Sequence, residues 1–334
     1  MIMDSFVYPG YEDLEISTQI ILNEAKARNL EIEILDRSEN FIRIKKGNHS
    51  EFIKEASKTR LDNYMTFLVM ENKTVSKLCL QEAGLKVPIG SSYETVTAAL
   101  SDFNKYNNIK KVMKPSTTNF GLGISILEPK ESYEIYKNKV ESTFQFAKSI
   151  LIEEFLPGPE YRFLVLGDKT VAVCNRVPAN VLSDGKHTIS DLVDTKNKDP
   201  RRGLGHTTPL EKIQKSQVEE DVLAQQGYNW NSIPEAGIIV YLRRNSNIST
   251  GGDSLDYTDK VHPDYLNIAS RAAASVGAKI CGVDIISERI EEAPNPGHYG
   301  ILEINFNPVL YIHDFPYEGV NRKVGSKVLD LLGF

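Results

Sequence analysis

The chain has 334 residues, 41% of them hydrophobic and 25% charged, and a formal net charge of −6. That length can bury a large core, as several small domains or as one α/β unit with subdomains, and the composition is that of a soluble globular protein. The negative charge argues against a nucleic-acid-binding surface, no apolar run approaches the ~20 residues that span a bilayer, and residues 1–10 lack the basic and apolar segments of a secretory signal.

In chain order, Leu14, Ile16, Ile20, Ile21, Leu22 and Ala25 recur with a helical period within residues 11–29. Residues 31–35 and 41–44 read as strands and 49–57 as a second helix, which makes a small α/β unit over residues 1–68. From residue 69 the reading is a helix over 72–83 that stops at Gly84, a helix over 93–105, a strand over 110–114, a loop over 116–123, a helix over 131–146 and a strand over 149–155. Residues 161–166 and 170–177 form a hairpin turning at Gly167-Asp168. The polar stretch 183–235 carries helices at 188–196 and 216–226. Then come a strand at 238–243, a helix at 263–276, strands at 279–286 and 299–305, and a terminal helix over 319–332. Hairpins mixed with crossovers predict an α+β fold built of subdomains rather than one doubly wound sheet. Cys79, Cys174 and Cys281 are far apart among apolar neighbours and read as reduced core thiols of a cytoplasmic protein. The six histidines show no metal-ligand spacing.

The strongest chemical signal is Glu303-Ile304-Asn305-Phe306-Asn307-Pro308, preceded by Asp284 within the apolar run Cys281-Gly282-Val283-Asp284-Ile285-Ile286. On a strand Glu303 and Asn305 share a face. If the two strands are neighbours, two carboxylates and a carboxamide converge, an all-oxygen set that suits Mg²⁺ completed by phosphate oxygens and water. Surface carboxylates are the alternative, and the apolar setting weighs against them.

Three further stretches carry weaker signals. Lys114 ends a strand and is followed by hydroxyls and by Gly121 and Gly123, a phosphate-handling arrangement, although such a turn is more often only a turn. Glu153-Glu154-Phe155-Leu156-Pro157-Gly158-Pro159-Glu160 ends a strand with carboxylates suited to an exocyclic amine and to ribose hydroxyls, or is simply a charged strand end. Arg243 and Arg244 precede a polar run through Asn247 to Gly251-Gly252-Asp253, which suits phosphate or carboxylate recognition, or is a solvated basic turn.

The order of Asn72-Lys73, Val112-Met113-Lys114-Pro115, the segment from Glu153 to Glu160, Asp284 and the Glu303–Pro308 motif resembles the ATP-grasp carboxylate–amine ligases. The stretches Arg176-Val177-Pro178-Ala179-Asn180-Val181, Asp184-Gly185-Lys186-His187-Thr188-Ile189 and 242–254 resemble more narrowly the C-terminal part of bacterial bifunctional glutathione synthetases, and several are shared with cyanophycin synthetase. The likeness covers about residues 10–330. It implies an ATP-grasp fold over 69–334, with a lid subdomain near 108–157 and a catalytic subdomain over 158–334.

The resemblance further implies an ATP-dependent ligase that joins gamma-glutamylcysteine to glycine through an acyl phosphate. A cyanophycin-type amino-acid ligase and a non-catalytic nucleotide-binding subunit are the alternatives. Lys73 and Lys114 would hold ATP phosphates and Glu153 the adenine amino group. The backbone of Glu154 and Leu156 would meet the ring edge, and Glu160 the ribose. Asp284, Glu303 and Asn305 would bind two Mg²⁺ ions, with Mn²⁺ as a substitute. The arginine that related ligases place two residues before the metal aspartate is Gly282 here, which moves the oxyanion role to Arg243 or Arg244, with Arg176 in reserve and Asn247 nearby. Small-molecule substrates, no nucleic acid, no membrane and a homodimer are the expected partners. The fused family's cysteine-ligase module is not in this sequence, so the resemblance implies a separate gamma-glutamylcysteine ligase as the source of substrate.

Overall fold

The computed structural model describes Phe6, residues 8–117 and residues 123–334. Its centre is a five-stranded antiparallel sheet in the order Asp253–Asp256, Lys169–Val177, Glu160–Leu166, Ile280–Ser287, Tyr299–Asn305. Both faces are covered. Phe163, Val165, Val173, Cys281, Val283 and Ile285 face the helix Pro263–Ser275, whose Tyr265, Ala269 and Ala272 are buried against them. Leu164, Leu166, Ala172, Cys174 and Ile280 face the N-terminal helix Ile16–Ala27 and the C-terminal helix Val324–Leu331. Burial on two sides explains why these strands read as continuous apolar runs instead of alternating.

The N-terminal helix is followed by an antiparallel meander, Glu31–Asp36, Phe41–Lys46 and His49–Lys54. The third strand corrects the expected helix over 49–57. Gly47, at φ +59°, turns the chain, and Glu51 and Ile53 point inward while Phe52 is exposed. The pattern has a period of two, disguised because one buried position is a glutamate whose Oε1 accepts from Arg60 Nε at 2.5 Å.

A second antiparallel sheet of four strands, Gly90–Tyr93, Ile150–Glu154, Lys111–Pro115 and Ser125–Leu127, has its own core of Met113, Val140, Ile150, Ile152, Tyr106 and Tyr136 under the helix Tyr133–Phe144. It takes in Gly90–Tyr93 as an edge strand, and the helical region expected over 93–105 is two short helices, Val96–Ser101 and Phe103–Tyr106. Residues 178–252 form a layer with a polar surface around a small core of Val181, Ile189, Val193, Leu223, Val240 and Leu242. Its helices Ile189–Lys196 and Gln217–Gln225 each open on a capping box, Thr188 with Asp191 and Ser216 with Glu219. The helix Tyr64–Glu71, which no periodicity announced, packs on the Tyr299–Asn305 strand. The terminal helix starts at Val324 rather than 319, where the Asp314 carboxylate accepts from the Val324 N–H at 2.8 Å. The architecture is mixed α+β, with the two larger antiparallel sheets each packed on its own core. Among the described residues no helix is long and apolar enough to cross a membrane.

Candidate active site

Strands 280–287 and 299–305 are neighbours, and their register sets Asp284 opposite Glu303 and Gly282 opposite Asn305. On its other side Asp284 pairs with Arg162 of the strand Glu160–Leu166, which in turn faces Cys174. Cross-strand partners share a face, so Glu303, Asp284 and Arg162 form one row across three strands.

Asp284 is fully buried. Arg162 grips it with two nitrogens, Nε to Oδ1 and Nη2 to Oδ2 at 2.9 Å, and anchors its own Nη1 on the Pro308 carbonyl at 3.2 Å. Arg176 Nη2 donates to Oδ2 at 2.8 Å and Asn305 Nδ2 to the same oxygen at 3.2 Å. Burial alone would raise this carboxyl, but the two guanidiniums outweigh it and hold Asp284 below the usual carboxylate range. Arg162 is a functional candidate that the sequence reading missed. It was signalled only as a lone charge in the apolar run Tyr161-Arg162-Phe163-Leu164-Val165-Leu166. Its side chain lies over Gly282, where an added Cβ would stand 2.5 Å from Arg162 Cδ and 3.0 Å from Nε. The place two residues before Asp284 is thus filled by an arginine from the neighbouring strand.

Arg176 links two expected subsites. The Nη2 that reaches Asp284 also pairs with Glu160 Oε1, while Ser246 Oγ donates to Glu160 Oε2 and ties the 243–253 loop to the site. Arg176 Nε is buried and meets no acceptor among the described residues. Arg243 and Arg244 turn the other way. Arg243 Nε holds Glu219 Oε1 at 2.5 Å and Arg244 pairs with Gln225, both on the helix Gln217–Gln225. The Asn247 carbonyl closes the turn by accepting from Thr250 N at 3.1 Å, and its side chain makes no hydrogen bond within the described residues. Of the three arginines considered for the oxyanion, Arg176 alone contacts Asp284.

The lysines form a second group. Lys73 opens the helix Lys73–Glu82, capped by the Asn72 side chain, and its Nζ lies 3.8 Å from Glu303 Oε2. Burial pushes Lys73 down, and Glu303 opposes the shift. The Ser116 carbonyl accepts from its backbone N–H at 3.2 Å. Lys114 Nζ lies 2.9 Å from Glu153 Oε2, and Lys77, which the sequence reading did not single out, pairs with Glu153 Oε1. Glu153, expected at the adenine amino group, therefore lies buried between two ammonium groups. The Glu154 carboxylate accepts from Ile89 N at 3.0 Å and Lys86 Nζ at 3.2 Å, and the Glu154 N–H donates to the Ile89 carbonyl. Among the described residues the Leu156 N–H meets no acceptor. At Gly123, with φ +74°, a Cβ would stand 2.7 Å from Pro115 Cγ and 2.8 Å from Phe146 Cδ2, so close packing demands a glycine there. Gly121 lies outside the described residues.

Asp284, Glu303 and the Asn305 carboxamide are hard oxygen donors on adjacent strands. Among the described residues no group of three or more His, Cys, Asp or Glu side chains could hold a metal ion. Two carboxylates and one amide fit Mg²⁺ if phosphate oxygens and water supply the remaining positions.

An ATP-grasp-like domain model matches residues 12–65. The glutathione biosynthesis bifunctional protein of Clostridium perfringens is 52% identical over 323 residues, which cover 97% of this chain and 42% of that protein. The protein of the same name from Listeria innocua is 49% identical over the same shares of each chain. The chain thus spans about two-fifths of the length of these relatives. The crystal structure of a bifunctional glutathione synthetase from Pasteurella multocida superposes with a TM-score of 0.77 at 39% identity, covering 98% of this chain and 45% of that one. Over nearly its whole length the chain is homologous to the C-terminal glutathione synthetase (ATP-grasp) part of the bifunctional glutathione biosynthesis proteins.

Proposed function

We propose that the chain is a glutathione synthetase, an ATP-dependent ligase that joins the cysteinyl carboxylate of gamma-glutamylcysteine to the amine of glycine. The observation that carries this reading is the placement of Arg176. One guanidinium joins Asp284, the metal-ligand candidate, to Glu160, the ribose candidate, so the two subsites adjoin. Lys73 beside Glu303 and Lys114 beside Glu153 supply neighbouring cations, Lys114 also feeling the charge of Glu303.

In the first step a carboxylate oxygen of the dipeptide attacks the γ-phosphorus of ATP, ADP leaves, and an acyl phosphate forms. Lys73 and Lys114 bind the phosphates and offset charge that spreads over the transferred group. Asp284, Glu303 and Asn305 would hold Mg²⁺, which supplies charge neutralisation at the phosphates when bound. In the second step the amine attacks the acyl carbon, and the oxyanion that develops needs a fixed donor. Arg176, with its unpartnered buried Nε, suits that role. The carbon–oxygen bond to phosphate then breaks, and the nitrogen loses its proton. The four-stranded sheet, whose strands fall largely within the expected lid subdomain near 108–157, would close over the nucleotide and exclude water, which would otherwise hydrolyse the acyl phosphate. The free thiols, with Cys174 and Cys281 buried, support a reducing, cytoplasmic setting.

The test supplies the purified protein with ATP, Mg²⁺, gamma-glutamylcysteine and glycine, and reads phosphate release and product mass. The expected outcome is ADP, phosphate and glutathione in equal amounts. If this pair releases no phosphate while another acid–amine pair turns over, the glutathione assignment fails.

A further inference from the structure

Glu153 is held by more charge than it needs. Glu153 is 3% exposed and its carboxylate faces two lysine amino groups, Lys77 on Oε1 and Lys114 on Oε2 at 2.9 Å, themselves 6% and 8% exposed. A single buried carboxylate is fully neutralised by one lysine, and a second costs desolvation without a matching partner. The lysines come from different parts of the fold. Lys114 ends a strand of the four-stranded sheet, whereas Lys77 is on the helix Lys73–Glu82, which packs on the Tyr299–Asn305 strand. Glu153 is also fenced from behind, since a Cβ at Gly90 would stand 2.7 Å from its Cγ.

We propose that Lys77 is a positioning residue that keeps Glu153 ionised and in place when Lys114 moves onto the nucleotide phosphates, leaving Oε2 to accept from the adenine amino group. The inference rests on the nucleotide-binding reading above. In this structure Lys114 pairs with the oxygen that the base requires. A phosphate that draws Lys114 away exposes that oxygen, and Lys77 prevents the uncovered carboxylate from protonating or turning aside. Phosphate occupancy and base recognition are thereby coupled through three side chains. Glu153 and Lys114 are the charged groups facing Lys77, while Glu303, on the strand beneath the helix, reaches Lys73 instead. Burial pushes Lys77 down to about 7, with Lys114 adding to the fall and Glu153 opposing it. Departure of the Lys114 charge therefore favours protonation of Lys77, and ATP binding above pH 7 takes up a proton.

The experiment compares dissociation constants of ATP and of inosine triphosphate, which carries a carbonyl where adenine carries its amino group. It uses the wild type, Lys77→Met and Lys77→Arg, with calorimetry at pH 8 in buffers of different ionisation enthalpy. The wild type is expected to prefer ATP by about tenfold or more, the worth of one charge-assisted hydrogen bond. Lys77→Met should bring the two constants to within about threefold and abolish proton uptake, and Lys77→Arg should restore the preference. An unchanged preference in Lys77→Met, or no proton uptake by the wild type, overturns the proposal. A wild type that binds both nucleotides equally overturns it too but leaves the ligase reading standing. A wild type that binds neither defeats the ligase reading itself.

Discussion

Replacing Arg162 by methionine perturbs the contact on which the row of site residues depends. Asp284 is fully buried and accepts from Arg162 through two nitrogens, from Arg176 at 2.8 Å and from Asn305 at 3.2 Å. Deleting one partner of a buried ion pair costs about 3–5 kcal/mol, because the other charge is left uncompensated. Arg176 and Asn305 stay behind, which puts Arg162→Met at the lower end, near 3 kcal/mol. Asp284→Asn strands the Arg162 guanidinium and should cost a similar amount. In the double variant neither half of the pair remains to be orphaned, so the losses should fall short of additive by about 2 kcal/mol. Urea unfolding of the four proteins at pH 7 measures this coupling. Losses that add to within about 0.5 kcal/mol would show that the two side chains act independently and refute the reasoning. The pH dependence has a fixed sign. Asp284 is depressed in the folded protein, so its contribution is present above the unfolded carboxylate value of about 3.9 and disappears as pH falls through the lower folded value. The wild type should lose its advantage over Asp284→Asn only in that acid range.

Three further outcomes follow from the geometry. Arg176→Ala should lower ligase turnover by about a hundredfold or more, the usual loss for an oxyanion donor, whereas Arg244→Ala, whose partner is Gln225 on the helix Gln217–Gln225, should stay within a few-fold; phosphate-release kinetics compare them. Gly282→Ala should destabilise by about 1–3 kcal/mol through overpacking, since its Cβ would meet Arg162, and should also depress turnover; a fully stable, active variant would show that Arg162 need not lie there. Asp314 is raised to about 6 by burial while it caps the terminal helix. The folded state therefore binds the extra proton, and wild-type stability should fall by up to about 3 kcal/mol as pH rises from 4 to 6. Asp314→Asn keeps the capping oxygen and should flatten that decline in unfolding measurements.

The Asp284–Glu303 pairing was legible because two long apolar strands each carried an acidic residue that only a functional or paired role could keep there. The hairpin at Gly167 and the helices with capping boxes were equally visible, since their signals are local. Arg162 was not, because its importance arises from register with a strand more than a hundred residues away. The directions of Arg243 and Arg244 were hidden for the same reason. Their partners Glu219 and Gln225 lie on a helix whose position depends on packing of the polar layer. The strand His49–Lys54 was misread because Glu51 is a buried charge held by Arg60, which breaks the hydrophobic alternation that marks a strand. Lys77 gave no signal, since a lysine in a helix usually faces water, and only the approach of the four-stranded sheet buries it.

The most direct test of the ligase reading follows the oxygen. Gamma-glutamylcysteine labelled with ¹⁸O in its cysteinyl carboxylate is incubated with the protein, ATP, Mg²⁺ and glycine, and the released phosphate is analysed by mass. If the carboxylate attacks the γ-phosphorus, one labelled oxygen passes into each phosphate as the amide forms. Unlabelled phosphate would mean that water, not the dipeptide, attacks ATP, and would contradict the acyl-phosphate route.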